Sequence, residues 1–146
     1  MTRIELMDWD RARAEASRIR FAVFVAEQGV LPEIELDGHD ADCLHALAFE
    51  GDEAVGTGRL LPGEPIGRIG HIGRMAVLKP WRGRGLGSLI LKSLVEKARS
   101  RGDREIRLSA QVHAAEFYRA HGFVEVGEDY MEAGILHRAM KRAFWA

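Results

Sequence analysis

One cysteine, Cys43, is present in 146 residues, so no disulfide can form within the chain. Nothing in its cysteine usage then points to an oxidising compartment, and the cytoplasm is the default location. No apolar run approaches the ~18 residues that cross a bilayer. Met1 to Trp9 lacks the basic-then-apolar order of a secretory signal, so neither a membrane nor export is expected. An excess of one charge is also missing, because 21 Lys plus Arg face 22 Asp plus Glu. Proteins that bind nucleic acid usually carry a basic excess on one face, and no such partner is expected here. His39, Cys43 and His45 lie close together but match no zinc spacing, which excludes an expected metal. Repeats and low-complexity linkers are absent as well. A single domain over residues 1–146 follows, long enough to bury one core.

What is present reads as strands and helices in alternation. Ile4 and Leu6 alternate with polar neighbours as a short first strand, after which Asp8 or Asp10 caps a helix. Ala12, Ala16, Ile19 and Val23 form one helical stripe that fades near Glu27-Gln28-Gly29. Val30 to Asp42 holds Pro32 with Glu33, Glu35, Asp37, Asp40 and Asp42, and reads as an acidic surface loop. Leu44–Phe49 and Ala54–Leu61 flank turn residues and predict a hairpin. A strand over His71–Leu78 precedes a glycine-rich turn and the best amphipathic helix, built on Leu86, Leu89, Ile90, Leu94, Val95 and Ala98. Arg104–Ala110 predicts another strand, Ala114–His121 a short helix, and Phe123–Val126 and Leu136–Lys141 two closing strands.

The turn Arg82-Gly83-Arg84-Gly85-Leu86-Gly87-Ser88 is the sharpest local signal, because it joins the strand directly to the amphipathic helix. Glycines remove side chains so that successive N–H groups converge on an anion, and the helix N-terminus adds its positive dipole end. Arg82 and Arg84 supply further donors, and a pyrophosphate fits such a cradle. The pattern is neither the GxxxxGK[ST] of a nucleotide triphosphatase nor the GxGxxG of a dinucleotide fold.

Arg82, Gly85 and Gly87 match the Q/R-x-x-G-x-G/A signature, and the chain resembles the GNAT N-acetyltransferase superfamily. Ala114, Phe117-Tyr118 and Gly122-Phe123 resemble its second motif in the right order. Phe24-Val25 with Glu27-Gln28-Gly29, Leu36 to Asp40, Glu132 to Ile135 and His137-Arg138 are similar to the ElaA-like branch. The resemblance implies an α/β (α+β) fold, a mixed, mainly antiparallel sheet of six or seven strands flanked by helices, with central strands splayed to admit a coenzyme. It implies an acyl-CoA-dependent N-acyltransferase, most simply moving acetyl from acetyl-CoA to a primary amine of a small molecule, a lysine or an N-terminus.

The same resemblance assigns roles. Met75, Ala76 and Val77 lie along the pantetheine arm and the thioester, Arg82 to Ser88 hold the pyrophosphate, and Gln111 stands where many relatives have Asn. Tyr118 is placed beside the CoA sulfur to protonate the departing thiolate. The amine must lose a proton before it attacks, and Glu27 is the leading candidate base. Asp37 and His39 are candidates to bind or deprotonate the amine, with His71 and His113 less specific. The acidic loop raises a cationic acceptor as a hypothesis. A catalytically silent acyl-CoA sensor and a plain interaction domain are the alternatives, and a homodimer is compatible with everything above.

Overall fold

The computed structural model describes residues 1–66 and 68–144. Strand β1 (Thr2–Met7) leads into helix α1 (Trp9–Arg20), whose N-cap Asp8 accepts a hydrogen bond from the Arg11 N–H at 3.1 Å. Ala12, Ala16, Ile19 and Val23 are buried, as their spacing predicts. Beyond Arg20 the helix does not fade. It loosens into a π-helix over Phe21–Glu27, where Gln28 N–H reaches back five residues to the Val23 carbonyl at 3.1 Å. Such bulges re-aim the side chains that follow, and are frequent at functional sites.

The acidic segment folds as a helical turn α2 (Pro32–Glu35) and a 3-10 turn (Asp40–Asp42), with Glu35 and Asp40 buried. Strands β2 (Leu44–Glu50), β3 (Glu53–Leu60) and β4 (Ile69–Val77) precede helix α3 (Leu86–Ser100). Then come β5 (Glu105–Gln111), α4 (Ala115–Ala120), β6 (Val124–Glu125), β7 (Tyr130–Glu132) and β8 (Ile135–Ala143).

Among the described residues eight strands form one sheet, in the order β1-β2-β3-β4-β5-β8-β6 with β7 paired to β8. Only β4 and β5 run parallel. The count exceeds the six or seven expected because β7, three residues long, is too short to leave a pattern, whereas β6 falls within the strand expected over Phe123–Val126. Ala133 (φ 52) and Gly134 (φ 76) make the tight turn from β7 into β8.

One face of the sheet carries α3 and α4 over Ala46, Ala48, Leu60, Ile106 and Leu108; the other carries α1 over Leu47 and Ala76. Small residues let α3 come close. A Cβ on Gly58 would stand 2.6 Å from Met75 Sδ and 2.9 Å from Ile90 Cγ2. Gly58→Val is accordingly expected to lower stability by about 1–3 kcal/mol through overpacking, read as a fall in the denaturation midpoint at constant m-value.

Two irregularities position the site. Strand β4 pairs with β5 only at Ile69, Gly70 and His71, so the strands part from Ile72 onward. In the parting stretch Arg74 has φ 52, and the register against β3 slips between Thr57 and Arg59. This β-bulge twists β4 away from β5 and opens the splay.

Candidate active site

The splay opens on the α3 and α4 face into a cleft of about 420 Å³. Its walls are Met75, Ala76 and Val77 of β4, the turn from Trp81 to Ser88, and Ala114, Phe117 and Tyr118 beside α4. Because β4 has no neighbour on this edge past His71, its polar groups there are free to pair with an extended, amide-bearing ligand. The glycine turn closes the outer end. Gly83 and Gly85 both have φ 80, a left-handed conformation that side-chain-bearing residues adopt at a cost. Among the described residues no acceptor pairs with a backbone N–H from Gly85 to Ser88, so a row of donors at the start of α3 faces the cleft. An anion is the chemistry that satisfies them.

Tyr118 lies at the inner end, 9% exposed. Its ring packs edge-on against Phe117 at 5.0 Å and Phe123 at 6.0 Å, while its hydroxyl has no hydrogen-bond partner among the described residues. Burial pushes its pKa up to about 12, which keeps the phenol protonated as a donor.

The residues expected on the acceptor side are placed differently from one another. Glu27, at the end of the π-helix, accepts two hydrogen bonds from Arg82, at 2.6 and 2.7 Å, while Arg82 Nε donates to the Val77 carbonyl at 2.8 Å. The Arg82 hydrogen bonds hold the Glu27 carboxyl below its ordinary range. A carboxylate so engaged is a poor proton acceptor, and Arg82 joins the end of α1 to the cleft wall rather than standing free for phosphate. Arg84 lies over the Trp81 ring at 4.8 Å.

The acidic segment is a structural cluster rather than a solvated face. Arg20, 1% exposed, donates to Glu35 at 2.5 and 2.9 Å and to Asp40 at 2.7 and 3.1 Å. Arg59 bridges Asp40, at 2.9 Å, and Asp37. Arg74 adds Asp37, at 3.3 Å, and the Glu35 carbonyl, at 3.0 Å. Burial opposes ionisation of Asp37, but Arg59 and the His39 N–H outweigh it and hold the carboxyl well below the carboxylate range. Its charge is matched inside the protein, whereas Glu33 and Asp42 of the same segment are exposed. His39 is exposed on the loop surface, His113 is exposed, and His71 meets Glu64 at 2.8 Å. None of the three lines the cleft.

Gln111, at the end of β5, donates to Gln28 Oε1 at 2.8 Å and so links β5 to the end of α1 across the splay. Sequence reasoning gave no role to Arg20, Arg59 or Arg74, and named Gln28 only within the ElaA-like segment. Arg20 alone had left a signal, since it falls one turn after Ala16 on the apolar stripe of α1. The partners of the others come from distant segments.

A strand that ends in a glycine turn, unpaired N–H donors at the next helix, a splayed neighbour strand and a tyrosine at the inner end suit a pantetheine-linked pyrophosphate. The profile of the acetyltransferase (GNAT) domain matches residues 14–144. The chain belongs to the GNAT acetyltransferase family. Within it the chain is ElaA-like, being 35% identical over 128 residues to ElaA of Escherichia coli, 86% of this chain and 83% of ElaA. It is 34% identical over 129 residues to the N-acetyltransferase YjcF of Bacillus subtilis, 88% of this chain and 90% of YjcF. The crystal structure of E. coli ElaA superposes with a TM-score of 0.86 at 30% identity, covering 97% of this chain and 99% of that one. An acyl-CoA N-acyltransferase from Pseudomonas aeruginosa gives 0.86 at 30% identity over 98% and 100%. This GNAT protein is thus an acyl-CoA-dependent N-acyltransferase. Among the described residues no helix is long and apolar enough to cross a membrane, and no group of metal-binding side chains is found.

Proposed function

We propose that the protein transfers acetyl from acetyl-CoA directly to a primary amine, of a small molecule or of a lysine or N-terminus, in a ternary complex in the cytoplasm. The observation that carries this reading is the cleft that runs from the unpaired N–H donors of Gly85–Ser88 to the partnerless Tyr118 hydroxyl. Acetyl is favoured because the matching domain is an acetyltransferase domain and YjcF is named an N-acetyltransferase. Pyrophosphate rests on the backbone of the glycine turn, the pantetheine arm pairs with the free edge of β4 at Met75, Ala76 and Val77, and the thioester comes to Tyr118. The amine attacks through the splay from the α1 face, where Gln111 stands.

Direct transfer is supported by the state of the cysteine. Cys43 is buried away from the cleft, burial raises its pKa to about 11, and a protonated thiol is a weak nucleophile.

Thiol release from acetyl-CoA, followed against a panel of small amines and lysine-containing peptides, tests the reading. Release that depends on one amine class supports it and identifies the acceptor. Coenzyme binding without release for any amine favours an acyl-CoA sensor, and failure to bind CoA favours an interaction domain. Gly85→Glu is expected to abolish CoA binding, measured by calorimetry, because it fills the cradle with a carboxylate at a left-handed position.

A further inference from the structure

We propose that His137, rather than Glu27, is the base that removes the proton from the acceptor amine, an inference that rests on the acyl-transfer reading above. The amine and the coenzyme meet from opposite faces of the sheet. Residues paired across antiparallel strands share a face, and His137 of β8 pairs with Gln111 of β5. Gln111 reaches Gln28 at the end of α1, so both side chains lie on the α1 face at the end of β5, beside the splay and behind the cleft whose walls they do not themselves line.

The imidazole is held in one orientation. Its Nδ1 lies 2.7 Å from the Ile135 carbonyl, which can only accept, so in the neutral ring Nδ1 carries the hydrogen and Nε2 keeps the lone pair. The Tyr130 ring stacks on it at 6.2 Å between centroids, and the Tyr130 hydroxyl is fixed in turn by Ser109. Nε2 makes no hydrogen bond to any described residue. Among the described residues the one sealed side-chain nitrogen without a partner is Arg59 Nε, so Nε2 of His137 keeps contact with solvent although the residue is only 7% exposed. A buried ring with an oriented, accessible and unused lone pair is equipped to accept a proton.

Glu132 Oε2 stands 3.7 Å from Nε2, too far for a hydrogen bond. From β5 the facing groups, Gln111 and Ser109, are neutral. The turn Val112–Ala114 packed against β8 carries His113, and Lys141 lies further along the same face of β8. Arg138 points to the other face, paired with Asp129 at 2.7 Å. Glu27, by contrast, has both oxygens occupied by Arg82.

In the step proposed, the ammonium gives one proton to Nε2 and its freed lone pair forms the bond to the thioester carbonyl carbon. The carbon–sulfur bond breaks, sulfur leaves with the electron pair and takes the Tyr118 proton, and the proton shed by nitrogen as the amide forms restores Tyr118. The imidazolium then releases its proton to solvent, so one proton leaves per turnover.

The test is the pH dependence of kcat/KM in the wild type, His137→Gln and His137→Ala, alongside CoA affinity and melting. His137→Gln is expected to lower kcat/KM by roughly 10²–10⁴-fold and erase an acidic limb, with CoA affinity retained. Added imidazole is expected to restore part of the His137→Ala rate. A His137→Gln rate within about threefold of wild type would overturn the proposal. So would a loss accompanied by weakened CoA binding and no rescue by imidazole, which marks a structural role. A wild type that transfers to no amine defeats the acyl-transfer reading itself, and this base with it.

Discussion

Tyr118→Phe is expected to lower kcat for amine acetylation by roughly 10²–10⁴-fold while the affinity for CoA changes little. The substitution removes one oxygen and keeps the ring. The packing against Phe117 and Phe123 is therefore preserved, and because the hydroxyl has no partner among the described residues, none of them is left unsatisfied by its loss. Core packing alone predicts no change in rate. With a pKa near 12 the phenol does not persist as phenolate, so its proton must be replaced as the reacting nitrogen sheds its own. It follows that Tyr118 adds no alkaline limb to the rate profile below about pH 12. Single-turnover measurement separates the chemical step from CoA release. A variant that turns over at the wild-type rate would leave Tyr118 as a core residue only.

Arg20→Met is expected to cost about 3–5 kcal/mol of folding stability, the usual penalty for stranding buried carboxylates. For a chain of 146 residues this corresponds to a fall of roughly 10–16 °C in Tm. The cost comes from Glu35 and Asp40, both buried and both bonded to the same guanidinium. Neutralising them together in Arg20→Met, Glu35→Gln, Asp40→Asn is expected to recover part of the loss, since no unpaired charge then remains. The cluster also shapes the acid limb of stability. Burial opposes the ionisation of Asp40, but Arg20 and Arg59 dominate and its folded pKa is depressed, as is that of Asp37. The stabilisation they bring is fully present above the unfolded carboxylate pKa of about 3.9, and is lost as pH falls through the lower folded values. Melting at successive pH values checks this, and a wild-type curve without an acid limb would deny the cluster its role.

Most elements were legible because their signals are local. The stripe Ala12, Ala16, Ile19 and Val23 placed α1, and the apolar run into Arg82–Ser88 placed β4, the turn and α3. The donor side of the site follows from the same stretch, since a left-handed glycine and a helix start are written into neighbouring residues. The π-helix was not legible, because its sequence, Phe21 to Glu27, continues an ordinary helical pattern and only packing on β4 selects the wider turn. Nor was β7, whose three residues have meaning only against β8.

The acidic segment shows the boundary most clearly. Glu35, Asp37 and Asp40 read as a solvated run, because a row of carboxylates with no neighbouring cations gives no sign of its partners. Those partners, Arg20, Arg59 and Arg74, come from α1, β3 and β4, and the fold alone brings them within hydrogen-bonding distance. The same holds for Glu27 with Arg82, 55 residues apart, and for Gln28 with Gln111, 83 apart. By itself, then, the sequence determined the family, the order of strands and helices apart from β7, and the glycine turn that starts α3, all of which depend on contacts within a few residues. The tertiary structure decided which charges are spent on each other and which polar groups stay free for chemistry, because ionic and hydrogen-bond partners are chosen by distance in space.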